Sequence, residues 1–252
     1  MSPSATGRPP RVTRAPALPA RRRRPRVAHL DDVRAERLSL ADLLDTVTDE
    51  EWATPSLCPG WTVHDVVAHL TLAPVERTWP TLVRVARARG DFERVNADLA
   101  REHAARFGPA ELVAQLRATA GRDSRFALNG RLDPLVDVLV HGQDVARPLG
   151  RPRAMPADRV LPALRHVWSS AFYGRADRRF RALRFVATDA DWSAGDGPRE
   201  VHGPTGALLL LATGRPAGLS DVTGAGVPEA AARLEGAARS GGAARSGGAA
   251  RP

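Results

Sequence analysis

The sequence predicts a mainly α-helical protein: a four-helix bundle, then a small α/β unit, with a disordered tail at each end. Three observations carry that prediction. Apolar residues recur near a 3.6-residue spacing in four stretches between residues 28 and 150. After Gly150 the pattern becomes mixed, and residues 182–188 alternate apolar and polar as a half-buried strand does. Both ends are poor in large apolar residues and rich in Arg, Ala, Pro or Gly. The division expected is a tail over 1–28, a bundle over 29–150, an α/β unit over 151–235 and a repeat-bearing tail over 236–252.

Taken in order, Leu30, Val33, Arg37, Leu40, Leu43, Leu44 and Val47 trace the stripe of the first helix. Thr48 and Glu51 have capping-box spacing ahead of Trp52. Residues 54–61, TPSLCPGW, are punctuated by proline and glycine and predict a loop. Thr62 is a candidate N-cap for a second helix, with Asp65 in its first turn and His69 near its middle. Pro74 and Pro80 should kink or break its continuation. A third helix is expected over about 109–122, and a fourth from Asp133 to about Gly150, opened by Pro134 and closed by Arg147-Pro148-Leu149-Gly150. Beyond a proline-rich linker, residues 160–173 predict a helix, 182–188 and 199–202 two strands, and the apolar run 206–212 a buried helix. The closing repeat of six residues, GAARSG, reads as a flexible linker.

Apolar residues make up 43% of the 252, enough for a real core. The formal charge of +9 misleads, because all 37 basic residues are arginine and the tails carry eleven of them without an acid. The remaining 26 arginines face 28 acids, so the body is slightly acidic and offers no basic face for nucleic acid. One cysteine, Cys58, excludes an intramolecular disulfide framework and suits a reducing cytoplasm. No apolar run reaches a membrane span, and no apolar core follows the N-terminal arginines, so neither membrane insertion nor secretion is expected.

Chemistry concentrates in residues 136–150, VDVLVHGQDVARPLG. Asp137 and His141 are four apart, which stacks a carboxylate and an imidazole on one helix face. The flanking Leu135, Val136, Val138, Leu139 and Val140 turn that helix inward, where a carboxylate needs a charge or hydrogen bonds to be tolerated. A divalent metal would serve, with His69 as a third ligand. Two histidines and one carboxylate leave an open fourth position, the pattern of a catalytic rather than structural zinc. Asp65, Gln143 and Asp144 are candidates to orient the imidazoles, and Arg147 a candidate catalytic residue that holds an anionic substrate group.

Three stretches carry a family resemblance. Residues 52–70, WATPSLCPGWTVHDVVAHL, are similar to a signature of the mycothiol-dependent maleylpyruvate isomerase-like family of actinobacteria. VDVLVHGQDVARPLG resembles its second signature, and residues 189–218, DADWSAGDGPREVHGPTGALLLLATGRPAG, its C-terminal domain. The resemblance implies a DinB-like four-helix bundle and a small α/β domain related to sterol-carrier folds. It implies zinc or another divalent metal on His69, Asp137 and His141, with mycothiol as the thiol cosubstrate. A metal-activated thiolate would then act on a small electrophile, as an isomerase or an S-transferase does. The family's carboxylate is usually glutamate, so Asp137 presents its oxygen on a shorter arm. The alternative is a non-catalytic metal-binding or sensor module on the same bundle.

Overall fold

The computed structural model describes residues 25–72, 78–122 and 130–246. α1 (Pro25–Leu44) is a 20-residue helix that buries Val33, Leu40, Ala41 and Leu44. It starts inside the expected tail; residues 1–24 lie outside the described residues. The Thr48–Glu51 capping box forms: Glu51 Oε2 accepts from Thr48 N–H at 2.8 Å, opening a 3₁₀ turn (Glu51–Ala53) that drives Trp52 into the core.

Three helices occupy residues 63–104: α2 (Val63–Leu72) and α3 (Thr78–Arg87) fall in the one interrupted helix expected over 63–90, and α4 (Phe92–Ala104) lies where the sequence predicted no element. Pro74 lies outside the described residues, and Pro80 sits in the first turn of α3, where its missing N–H costs nothing. Asp91 caps α4, its Oδ1 accepting from Arg94 N–H at 2.9 Å. α5 (Pro109–Thr119) and α6 (Asp133–Ala146) complete this part. The bundle is therefore α1, α2, α5 and α6, with α4 laid against α2 and α3 against α4.

The second part is α/β. α7 (Ala157–Trp168) and the short α8 (Ala176–Arg179) precede β1 (Leu183–Ala187), β2 (Ser193–Ala194) and β3 (Arg199–Gly203). The sheet order is β2-β1-β3, antiparallel on one side and parallel on the other, with Phe185 opposite both Ala194 and Val201. α9 (Thr205–Ala212) is buried along its whole length between α7 and the chain that follows. Asp189 anchors its first residue, accepting from the Thr205 N–H at 2.8 Å and hydroxyl at 3.1 Å. α10 (Val227–Ser246) runs on into the repeat, through the first part of the stretch expected as a tail; residues 247–252 lie outside the described residues. Alanine, the commonest residue of that repeat, is the best helix former.

α6 joins the two parts because it has three working faces. Leu135, Val136, Leu139 and Val140 enter a core shared with α7, the sheet and α9, while Val138 and Val145 enter the bundle core with Leu70, Leu112 and Leu116. The third face carries Asp133, Asp137, His141 and Asp144. A buried ion pair fastens the linker to α1: Arg153 reaches Glu36 at 2.7 Å, both side chains only 3% exposed. The other Glu36 oxygen accepts from Arg159 at 2.8 Å. No helix among the described residues is long and apolar enough to cross a membrane.

Candidate metal centre

Two helices and one loop converge on the polar face of α6. α2 begins with reciprocal bonds between Thr62 and Asp65: Asp65 Oδ2 accepts from Thr62 N–H at 2.9 Å, and Thr62 Oγ1 accepts from Asp65 N–H at 3.2 Å. Asp65 therefore serves as a cap, one turn before His69 on the same helix. α2 packs on α6, and this brings His69 Nε2 to 3.2 Å from Asp137 Oδ1. His141 Nε2 lies 3.4 Å from the same oxygen, one turn along α6. Trp61 sets its ring edge-on to His69, with centroids 5.6 Å apart.

The donor set fits a divalent ion. Ligands about 2.0–2.1 Å from a tetrahedral zinc are separated by about 3.3 Å from one another, and the two histidine-to-carboxylate spacings bracket that value. Ligand atoms of His69, Asp137 and His141 all lie within 4.8 Å of each other. Burial pushes the Asp137 carboxyl up, but His69, His141 and the more distant Arg37 outweigh it and hold it at about 2. The carboxylate is thus held in its ionised form.

Behind the ligands stands Asp144, with a side chain 0% exposed. Its Oδ2 faces three donors: His141 Nδ1 at 2.9 Å, Arg215 Nη2 at 3.0 Å and the Cys58 thiol at 3.1 Å. Burial opposes its ionisation, yet the bonds from His141 and Arg215 hold its carboxyl well below the usual range. An ionised Asp144 keeps the His141 proton on Nδ1 and leaves the Nε2 lone pair for the metal, as partners behind metal-bound imidazoles generally do. Cys58, His141 and Asp144 also form a compact group of potential ligands, but Arg215 already supplies the positive charge there. The Cys58 thiol is pushed up to about 12, by burial first and then by Asp144, and stays protonated.

Of the other residues singled out in the sequence, Gln143 bonds the Arg153 carbonyl at 2.9 Å and accepts from Arg147 Nε at 3.0 Å. Arg147 turns towards the chain after α9, donating to the Ala217 carbonyl at 2.7 Å and pairing with Asp221. Six residues past His141, it has rotated about 240° around the helix and leaves the metal-facing side. The arginine beside His141 is Arg215, from the turn after α9. Its separation of 71 residues from Asp144 explains why no local pattern marks it. The loop at 54–62 is pinned by Leu57 N–H to the Asp144 carbonyl at 3.1 Å, which places Cys58 in the group.

Two histidines and a carboxylate turned to one point between the helices of a bundle could hold a metal ion. Residues 33–129 match the family model of the mycothiol maleylpyruvate isomerase N-terminal domain. The fold is similar to the crystal structure of a mycothiol-dependent maleylpyruvate isomerase, with a TM-score of 0.52 and 16% identity over 79% of this chain and 92% of that one. A histidine-to-alanine variant of that isomerase superposes equally, at 15% identity. At such identity the likeness is one of fold. A search among curated proteins finds no match. The resemblance to the mycothiol-dependent maleylpyruvate isomerase-like family thus holds in the N-terminal domain and in the fold.

Proposed function

We propose that this protein is a metal-dependent enzyme that uses a low-molecular-weight thiol, mycothiol, to isomerise or thiolate a small electrophile in the cytoplasm. The observation that carries the reading is the spacing of His69, Asp137 and His141 about one point. A divalent metal held there, zinc by preference, would lower the pKa of a thiol bound at its open position, making the thiolate the nucleophile. Residues 29–150 supply the ligands in this reading, and residues 151–235 bring Arg215 to them. Aspartate in place of glutamate is supported by the spacing of both histidine nitrogens, 3.2 and 3.4 Å from Asp137 Oδ1.

The remaining work falls to the chain's own groups. Asp144 fixes the His141 ring and offsets Arg215. Arg215, with a side chain 25% exposed, has N–H groups beyond those facing Asp144 and the Thr213 carbonyl, and these suit a carboxylate or an enolate oxygen. Arg147 acts by holding the 216–221 turn, and through it Arg215, in place. Trp61 screens His69 from water.

The test is thiol-dependent turnover. Purified protein supplied with zinc and mycothiol should convert maleylpyruvate, or consume the thiol with another small electrophile, and His141→Ala should abolish the reaction. A well-folded, metal-loaded protein inert towards every such electrophile would favour the non-catalytic module.

A further inference from the structure

The two histidines of the centre come from different helices, and one loop touches the surroundings of both. Residues 54–62 turn back at Gly60, whose φ of +76° a glycine adopts without strain. The turn is closed by its own bonds. The Ser56 hydroxyl donates to the Trp61 carbonyl at 2.9 Å, and Trp61 N–H donates to the Cys58 carbonyl at 3.1 Å. An antiparallel bridge between Pro55 and Thr62 holds its two ends together. Cys58 and Trp61 both pack against the bundle core, so this loop is a braced hairpin rather than a free connection.

Trp61 stands edge-on to His69, with ring centroids 5.6 Å apart. Cys58 reaches the other helix: its thiol donates to Asp144 Oδ2 at 3.1 Å, and its sulfur lies 3.5 Å from His141 Nδ1. Leu57 N–H bonds the Asp144 main-chain carbonyl, so the loop holds Asp144 by backbone and by side chain. His69 and His141 meet edge to face, with centroids 5.1 Å apart. The contacts therefore form a closed circuit from Trp61 through His69, His141 and Asp144 to Cys58, and back to Trp61 along the hairpin. Both imidazoles are members of it.

We propose that loop 54–62 is a positioning strap for the metal centre, with Cys58 and Trp61 as its two positioning residues. The inference rests on the metal reading above. Cys58 acts on His141 through Asp144, and Trp61 acts on the His69 ring. Because the circuit is closed, freeing the loop at either residue loosens its hold on both imidazoles.

The test uses Cys58→Ala, Cys58→Ser, Trp61→Ala, Trp61→Phe and the double alanine variant. Zinc affinity is read by competition with a chromophoric chelator, and ligand geometry by the visible bands of the cobalt-loaded protein. Cys58→Ala should weaken zinc about three- to tenfold, the worth of one hydrogen bond, and Cys58→Ser, which keeps a donor, should restore most of it. Trp61→Ala should cost a similar factor, the worth of one edge-on ring contact, and Trp61→Phe should recover it. The double variant should lose less than the product of the two single losses, because both release the same loop. The cobalt bands should shift in both alanine variants although no ligand has been removed; a contribution to folding alone would lower the melting temperature and leave the bands in place. Zinc affinity within twofold of the wild type in both alanine variants, single losses that simply multiply, or unshifted cobalt bands each overturn the strap and leave the three-ligand centre standing. A wild type that takes up neither zinc nor cobalt overturns the metal reading and the strap with it.

Discussion

Replacing Asp144 with asparagine removes one charge and almost no volume, and the structure specifies the consequences. Asp144 faces donors from His141, Arg215 and Cys58 within 2.9–3.1 Å. An amide retains one acceptor oxygen, so His141 loses the anion that keeps its proton on Nδ1, and Arg215 loses its buried counter-charge. Loss of a partner behind a ligand histidine typically weakens metal affinity 10- to 100-fold, about 1.4–2.8 kcal/mol. Removing one charge of a buried ion pair costs a further ~3–5 kcal/mol of folding stability, so both Asp144→Asn and Asp144→Ala should melt below the wild type, the alanine lower still because it also removes the acceptor oxygen. The assay is competition for zinc against a chromophoric chelator, beside thermal unfolding of each apo-protein. Zinc affinity in Asp144→Asn within twofold of the wild type would refute the claim that Asp144 sets the His141 tautomer.

Three further outcomes follow from other contacts. Cys58, with its pKa near 12, should react with iodoacetamide at pH 8 about a thousandfold more slowly than an exposed thiol, and faster as pH rises; rapid alkylation at pH 8 would contradict its bond to Asp144. Arg147→Ala should lower stability by about 1 kcal/mol, since its Asp221 pair is partly exposed, and should leave zinc stoichiometry unchanged; loss of the metal would show that Arg147 serves the centre directly. Glu36→Ala strands Arg153 and should cost about 3–5 kcal/mol in chemical denaturation, and a change below 1 kcal/mol would mean that the pair is not buried in solution.

What the sequence discloses and what it hides divide along physical lines. α6 is legible because its apolar residues surround a polar i, i+4 pair and Pro134 opens it. The Thr48–Glu51 box and the Thr62 N-cap are legible because capping is local. α4 is not, because FERVNADLAREHA buries little: Val95 and Ala100 are its core residues, and so sparse a stripe gives weak periodicity. Asp144 reads as one of several polar neighbours of His141; its importance comes from complete burial, which depends on the second part closing over α6. Arg215 is harder still. It reaches α6 from the far side of residue 150, and only the shared core of Leu135, Val136, Leu139 and Val140 with α7 and α9 brings it there.

The most direct test of the central claim is metal content by elemental analysis, after zinc loading and gel filtration, of the wild type beside His69→Ala, Asp137→Ala and His141→Ala. One zinc per chain in the wild type, and under a tenth in each folded variant, is the result the His69–Asp137–His141 centre predicts. A wild type that elutes without metal, or variants that keep a full equivalent, would contradict it.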